Sequence, residues 1–405
     1  MAKTTTIKTI LTDEVFIEDN NNIINIARTG KIITDTADVG DPIGTVGDSD
    51  LNKNNIFNID GRVIGMDFAV YVGGEKSEIH VGKTGYLQAG WGVNMFGLEQ
   101  VLVNDGLIVG GSNDGVFVQT STDGKIVNNG TIVGTQYGIE VGQGDGLSIA
   151  NGRNGIISGG SVAITINSQA GDANKIVNLG LINVTGDFVA SILDGDGSIN
   201  IRNKGTISGI VDLGGGDDVF NGLGGKLVRS FVDGGLGNDT MIVDDADFGL
   251  IEDSDEGTDT IKSTVSYSLG LNVENLTLLG KKNADGIGNS ADNIMHGNAG
   301  DNRLNGDTGN DTIYGHRGDD ELTGAAGTDW FFFGTKDGKD TITDFELGAV
   351  DFINLSAWKA FDNFDDMFAS AKDKGADVVI TSGKDSLTIE GHHKADLGDF
   401  MFSFI

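Results

Sequence analysis

Residues 288–332 read GNSADNIMH-GNAGDNRLN-GDTGNDTIY-GHRGDDELT-GAAGTDWFF, which is five nonapeptides in succession without a gap. Each unit begins with Gly, has Asn or Asp at its sixth position, and has a large apolar residue at its eighth. This spacing predicts a turn of six residues and a strand of three, with the eighth side chain in a core. A flexible Gly/Asp-rich linker would not keep an apolar residue at one position. The residues at position eight are Met295, Leu304, Ile313, Leu322 and Phe331.

The polar positions of these turns suit a hard divalent cation. Gly lets the turn backbone curl so that its carbonyl groups face one point, and Asp at position six adds a carboxylate. Consecutive turns on the same side then enclose a calcium ion with about six oxygens. The candidate ligand positions, four and six of each unit, are Gly300, Asn302, Gly309, Asp311, Gly318, Asp320, Gly327 and Asp329.

Two earlier segments carry the same pattern. Residues 234–242 match G-G-x-G-x-D-x-apolar-x at every fixed position, which adds Gly235, Gly237 and Asp239 as candidate ligands. A looser copy at residues 214–220 adds Asp218. Residues 243–287 contain alternating stretches instead, and we expect them to form solenoid turns without metal.

This array resembles the RTX (repeats-in-toxin) family of type I secreted proteins, in which such nonapeptides form a parallel β-roll. The resemblance implies a calcium-binding roll over residues 212–332, followed by a cap with an uncleaved secretion signal over 333–405. It implies export by an ABC transporter out of a Gram-negative cell, and so a secreted, extracellular or cell-surface protein. Asp340 and Asp344 are the ligands that it suggests for a last calcium ion at the cap.

The composition agrees with folding on calcium. The chain has 405 residues, a formal net charge of −33, 65 Gly, one Pro and no Cys. Without disulfides another stabilising device is needed, and bound metal is the obvious candidate. The negative charge opposes binding to nucleic acid or to an anionic membrane. We expect neither a Sec-type signal nor a membrane span, because no apolar segment of the required kind is present.

Residues 1–211 carry a longer repeat of about 24 residues, anchored on a recurring Gly. Each unit contains about three short alternating strands, which predicts one coil of a parallel β-helix whose stacked coils share a core. We therefore predict an all-β protein with a β-helix over 1–211, a β-roll and a β cap. The residue two positions after the anchor Gly is aliphatic in eight units: Ile32, Val63, Leu87, Ile108, Ile132, Ile157, Ile182 and Ile207.

A second column of the long repeat is polar. Asn104, Asn128, Asn178 and Asn203 each stand two residues before an anchor Gly, and Arg153 interrupts the series. We interpret the column as an asparagine ladder that hydrogen-bonds the turns, rather than as a set of ligands.

The sequence indicates no catalytic residues. It lacks the H-E-x-x-H and G-x-S-x-G motifs, which excludes the zinc protease and lipase classes that carry them. No pair of acids with a partner base stands out in the β-helix. Trp91 and Tyr86, near His80, could stack on sugar rings, although they are more simply explained as exposed aromatic residues.

We therefore expect a non-catalytic surface, matrix or adhesin-like role, with extracellular polysaccharide or a cell surface as partner. Two alternatives stay open. One is a β-helix lyase, epimerase or hydrolase that acts on acidic polysaccharide, and the other is a bacteriocin-like or pore-forming toxin.

Overall fold

The computed structural model describes residues 3–8, 10–11, 15–17, 21–33, 43–45, 53–186, 190–347 and 351–404. By its internal contacts the chain divides into two compact units, Met1–Gly237 and Asn238–Ile405. The predicted limits after residues 211 and 332 mark changes of repeat type, and they stay predictions.

The first unit is a parallel solenoid with three sheets. Among the described residues, ten successive coils each give one strand to each sheet, and neighbouring strands pair in parallel. The first sheet contains Lys3–Ile7, Asn22–Ile26, Ile56–Ile59, Glu78–Val81, Val101–Asn104, Lys125–Asn128, Ser148–Asn151, Ala173–Asn178, Ser198–Asn203 and Val219–Asn221. The second contains Ile10–Leu11, Lys31–Ile33, Arg62–Ile64, Tyr86–Ala89, Leu107–Gly110, Thr131–Gly134, Ile156–Gly159, Leu181–Val184, Thr206–Ser208 and Lys226–Val228. The third contains Val15–Ile17, Ile43–Thr45, Phe68–Val72, Trp91–Phe96, Val116–Thr122, Tyr137–Val141, Val162–Ile166, Ala190–Leu193, Ile210–Asp212 and Val232–Asp233, and the short strand Gly144–Asp145 pairs beside it.

The core of this unit is built from like residues in register. Ile108 pairs with Ile132, and Ile132 pairs with Ile157, so one aliphatic side chain stacks on the next. All eight aliphatic residues of the predicted column have no exposed surface. The β-helix prediction is confirmed, and the three-sheet pattern continues past residue 211 to Val232–Asp233.

The asparagine ladder is confirmed and has one more member than predicted. Asn104 donates its side-chain amide to Asn128 at 2.8 Å, and Asn128 donates to Asn151 at 2.9 Å. Asn151 donates to Asn178, and Asn178 to Asn203, at 2.9 Å each. The ladder therefore does not break at Arg153, because Asn151 takes the place in its own coil two residues earlier.

The second unit has two main sheets. In the first, parallel strands are Thr240–Val243, Thr260–Ser263, Asn275–Leu278, Ile294–His296, Thr312–Tyr314, Trp330–Gly334, Phe352–Ala357 and Phe402–Ser403. In the second, parallel strands Tyr267–Ser268, Gly286–Ile287, Arg303–Asn305, Glu321–Thr323, Lys339–Ile342 and Asp385–Ile389 are followed by antiparallel Asp377–Ser382 and Lys372–Lys374. The short strand Leu250–Ile251 completes the strands of this unit in the described part of the chain.

Successive nonapeptides alternate between these two sheets. Leu304 pairs with Leu322 in one sheet, and Ile313 pairs with Phe331 in the other, so two nonapeptides form one coil of 18 residues. The five residues at position eight are at most 1% exposed, which confirms the predicted core. Residues 243–287 do form further coils, because Thr260–Ser263 and Asn275–Leu278 join the first sheet of the second unit.

The C-terminal part adds short helices to the predicted β cap. The α-helix Phe364–Ser370 begins after Asn363, whose side chain accepts a hydrogen bond from the backbone N–H of Asp366. Two 3₁₀ turns, Lys394–Asp396 and Asp399–Met401, follow. In the described part of the chain, no helix has the length and apolar character that crossing a membrane requires.

Candidate metal centre

The Asp residues at position six are held by the backbone of the neighbouring coil. One side-chain oxygen of Asp311 accepts the backbone N–H of Asn293 at 2.8 Å. Asp320 accepts from Asn302, and Asp329 from Asp311, also at 2.8 Å. Each residue is at most 2% exposed, so one oxygen of each carboxyl is fixed in a buried position by the repeat itself.

The second oxygen of these three carboxyls has no hydrogen-bond partner. The Oδ2 atoms of Asp311, Asp320 and Asp329 are buried and unpaired in the described structure. A buried carboxylate oxygen without a donor or cation is strongly destabilising. These three atoms are therefore the candidate coordination sites for a metal ion in these turns.

Glycine makes the space around these oxygens. A Cβ on Gly306 or Gly324 would overlap Oδ2 of Asp311 or Asp329, respectively. Gly309, Gly318 and Gly327 have φ of +124°, +140° and +152°, a backbone conformation that L side chains rarely adopt. The sequence therefore has Gly at positions one and four because the turns require the missing Cβ and the unusual φ.

Burial raises the pKa of these carboxyls. The pKa of Asp311 rises from 3.8 to about 6, and those of Asp320 and Asp329 rise to about 7. Desolvation is the largest cause, and neighbouring acidic residues add repulsion. A bound cation would favour the ionised form. The residues thus fit calcium, which takes carboxylate and carbonyl oxygens and displaces the protons.

The two Asn-bearing turns are organised differently. Asn302 accepts the backbone N–H of Asn298 at 2.8 Å, and its amide nitrogen donates to the carbonyl of Ala284 at 2.6 Å. Asn293 makes the equivalent bonds, accepting from Asn289 and donating to Val273. These turns, which include the predicted positions Gly300 and Asn302, satisfy their polar groups within the protein.

At the cap, the two predicted ligands have different surroundings. Asp340 is 3% exposed and accepts the backbone N–H of Asp320, and burial followed by nearby acids raises its pKa to about 8. Both side-chain oxygens of Asp344 instead accept hydrogen bonds from backbone N–H groups, one from Gly324 at 3.1 Å and the other from Ala325 at 2.7 Å. Asp340 thus continues the column formed by the position-six residues of the nonapeptides, whereas the side chain of Asp344 stabilises a turn by hydrogen bonds. The assignment of both as ligands stays a prediction.

Asp351 is a member of the column that the sequence did not reveal. Its Oδ1 accepts the backbone N–H of Asp329 at 3.0 Å, as the position-six residues do elsewhere. It lies 22 residues after Asp329 rather than 18, so the nonapeptide period does not find it. Its signal in the sequence is only an Asp directly before the strand Phe352–Ala357.

The first unit contains similar turns. Asp218 is 1% exposed and accepts the backbone N–H of Ile199 at 2.6 Å. Gly235 and Gly237 pack on the carbonyl groups of Gly214 and Gly216, where a Cβ would overlap. These predicted positions therefore have the same construction as the turns of the long run.

Asp194 belongs with these turns although it matches no nonapeptide. It accepts a hydrogen bond from Ser168 at 2.9 Å, it is 6% exposed, and its Oδ2 is buried without a hydrogen-bond partner in the described structure. Burial raises its pKa to about 7. The sequence places it in an Asp-Gly-Asp-Gly turn, which was the available signal.

A group of three acids lies in the second unit. Ligand oxygens of Asp239, Glu252 and Asp259 lie within 4.8 Å of one another, and all three residues are buried. Asp239 donates its backbone N–H to Asp259 at 2.8 Å. Glu252 and Asp259 fall within residues 243–287, which the sequence predicted to form turns without metal. The fold thus places two of its acids beside a predicted ligand.

The aromatic residues around His80 do not form one site. His80 lies in the first sheet and contacts Glu78 at 2.8 Å, whereas Tyr86 lies in the second sheet under the guanidinium of Arg62. Trp91 lies in the third sheet. Their nearness in sequence is therefore misleading, because each strand of a coil faces a different direction.

Comparison with known proteins agrees with this centre. A family model described as the RTX calcium-binding nonapeptide repeat matches residues 296–331 in four copies. No curated protein matches the sequence. Two similar solved structures are the AlgE6R3 subunit of the Azotobacter vinelandii mannuronan C5-epimerase and the extracellular lipase LipA from Serratia marcescens.

The first of these structures is 24% identical, with a TM-score of 0.28, over 34% of this chain and 86% of its own. The second is 18% identical, with a TM-score of 0.21, over 59% of this chain and 41% of its own. These values are too low to indicate an activity. The nonapeptide match shows that this parallel solenoid contains RTX calcium-binding repeats over residues 296–331, and such repeats bind calcium ions.

Proposed function

We propose that this is a secreted protein that folds its nonapeptide roll on calcium outside a Gram-negative cell and has a non-catalytic surface or matrix role. The observation that carries the calcium-dependent folding is the set of three buried, unpaired Oδ2 atoms on Asp311, Asp320 and Asp329. They are costly in the absence of a cation and become ligands in its presence. The secreted location and the surface or matrix role follow from the resemblance to the RTX family.

The expected calcium dependence follows from the environment on each side of a cell envelope. Cytosol is poor in calcium, so the carboxylates repel one another and the roll stays unfolded for transport. Outside, weak sites with dissociation constants of about 10⁻⁴–10⁻³ M become filled. Binding to the folded state alone then stabilises the roll by mass action.

The test is a calcium titration of the full chain, followed by hydrogen exchange in peptides from residues 288–342. We expect exchange to slow as calcium is added. The triple variant Asp311→Asn/Asp320→Asn/Asp329→Asn should shift the midpoint at least tenfold upward, because an amide nitrogen replaces a ligand oxygen in each turn. Asp362→Asn, at an exposed position, is the matched control and should leave the midpoint unchanged.

Two results would contradict the proposal. One is a roll that is fully protected from exchange in chelator. The other is a triple variant that follows the same titration curve as the unmodified chain.

A further inference from the structure

The outer face of the third sheet carries a compact group of aromatic and polar residues. Core residues alternate with outward residues along each strand: Val93 and Met95 are buried inside, so Asn94 between them points outward. Asn94 is in register with Tyr71 and Phe117 on the neighbouring coils. We call the following group the third-sheet face: Phe68, Tyr71, Trp91, Asn94, Asp114, Phe117, Tyr137 and Glu140.

The glycine that follows Trp91 explains why this side chain also lies on the outer face. A Cβ on Gly92 would point into the core and meet the Ile108 side chain at 2.5 Å, and Gly115 has the same relation to Ile132 at 2.7 Å. The residues just before these two glycines, Trp91 and Asp114, therefore lie on the outer face. The coils are about 4.8 Å apart, so four coils give a face roughly 14 Å long.

Two acids on this face, Asp114 and Glu140, interact with each other. Asp114 is 2% exposed and accepts hydrogen bonds from the indole N–H of Trp91 at 3.2 Å and from the backbone N–H of Tyr137 at 3.3 Å. Its carboxyl also interacts with Glu140 of the next coil. Burial, followed by Glu140, raises the pKa of Asp114 to about 7. The pair therefore places two carboxyl groups from adjacent coils on this face.

Asn94 adds a polar group that the protein leaves unpaired. It is 4% exposed, and its side-chain oxygen has no hydrogen-bond partner in the described structure. Such groups are rare in folded proteins, since a buried amide without a partner opposes folding. Asn94 is in register with Phe117, and Phe117 with Glu140, so the amide oxygen lies in the same row of this face as one of the two acids. Such an oxygen is suited to accept a hydrogen bond from a ligand hydroxyl.

The aromatic residues supply the apolar part of the face. Trp91 stacks on Phe68, with ring centroids 4.9 Å apart and planes at 23°, and Phe68 contacts Tyr71 at 5.8 Å. Phe117 and Tyr137 are half-buried beside the acids. None of the eight residues is Lys or Arg, so the face has no cation for a carboxylate or sulfate group.

We propose that the third-sheet face binds a neutral polysaccharide, with aromatic side chains against the sugar rings and with Asn94, Asp114 and Glu140 against the hydroxyl groups. A polyhydroxylated, uncharged chain satisfies both kinds of group, whereas a uronate polymer would meet the acid pair without a counter-charge. This site goes beyond the proposed calcium function and does not depend on it.

The test is affinity electrophoresis of the full chain, in calcium, through gels that contain laminarin, β-mannan, dextran or polygalacturonate. We expect at least one neutral polymer to retard the chain and polygalacturonate not to do so. Asn94→Leu should weaken that binding at least fivefold without lowering the melting temperature, because it removes an unpaired amide. A merely structural residue would not separate these two readouts. Trp91→Ala should also weaken binding.

Tyr86→Ala, on the second sheet, is the control and should bind as the unmodified chain does. The proposal is overturned if none of the neutral polymers retards the chain, if polygalacturonate is preferred, or if Asn94→Leu binds normally. The calcium midpoint of Asn94→Leu should be unchanged, so failure here is distinct from failure of the calcium proposal.

Discussion

Single carboxyl groups decide how this protein responds to its surroundings. In the Asp residues of the long run, one side-chain oxygen accepts a backbone N–H from the neighbouring coil, and the other oxygen is buried in the turn without a hydrogen-bond partner. With a cation there, the arrangement is a ligand shell. With nothing there, it is a buried charge, and the protein gains by protonating it.

This gives a prediction for pH. The pKa values of Asp311, Asp320 and Asp329 rise from 3.8 in the unfolded chain to about 6–7 in the folded chain, so the folded state binds more protons between these limits. Their protonation stabilises the metal-free roll at low pH, and that stability is lost as pH rises through about 6–7. In chelator, lowering the pH from 7.5 to 5 should therefore raise the melting temperature.

The expected change in melting temperature with pH has a known scale, and a variant serves as its control. Each kcal/mol gained should raise the melting temperature of a unit of this size by about 2–4 °C. With saturating calcium the sign reverses, because protons compete with the ion. The triple Asp→Asn variant is the control, since it removes the three titrating groups. An equal rise in that variant would assign the effect to general loss of negative charge.

At the level of the element, the asparagine ladder binds coil to coil in the first unit. Each internal member donates to the next Asn and also to a turn carbonyl, as Asn128 does to Asn151 at 2.9 Å and to Ile156 at 3.0 Å. All five members are at most 1% exposed. Removing one member therefore leaves buried polar groups on both neighbours.

We predict that Asn128→Ala destabilises the first unit by about 1–3 kcal/mol, because the side-chain amide of Asn104 loses its ladder acceptor. The measurement is the free energy of unfolding in denaturant, with calcium present. Asn154→Ala, an exposed position in a neighbouring turn, is the matched control and should change it by less than about 0.5 kcal/mol. Equal effects of the two substitutions would contradict the role of the ladder.

At the level of the whole molecule, export and folding are expected to use different parts of the chain. The resemblance to the RTX family implies that residues 333–405 carry the secretion signal, and in the proposed function the Asp-bearing turns act as the calcium-dependent folding element. The two functions should therefore separate by mutation.

We predict that a chain ending at residue 332 is retained by cells that have a type I transporter, whereas the triple Asp→Asn variant is exported but stays protease-sensitive outside. Immunoblots of supernatant and cell fractions, with and without limited proteolysis in calcium, provide the measurement. If the truncated chain were exported as efficiently as the full chain, residues 333–405 would not contain the secretion signal.

The sequence alone determined the repeats and their consequences. A strict nine-residue period with Gly at position one and an apolar residue at position eight predicted the roll and its core. The 24-residue period predicted the β-helix, because stacking like residues is a local rule repeated from coil to coil. The Asp residues of the long run could be singled out for the same reason, since their spacing is fixed by the turn that they occupy.

Only the tertiary structure decided what lies outside the period. Asp351 enters the position-six column after a longer loop, and Asn151 replaces Arg153 in the ladder after a shift of two residues. Asp114 and Glu140 are 26 positions apart and become partners only because adjacent coils stack in register. Conversely, His80, Tyr86 and Trp91 are close in sequence and lie in three different sheets. A solenoid brings together residues that are one coil apart. Because the turns vary in length, the number of residues in a coil cannot be derived from the sequence alone.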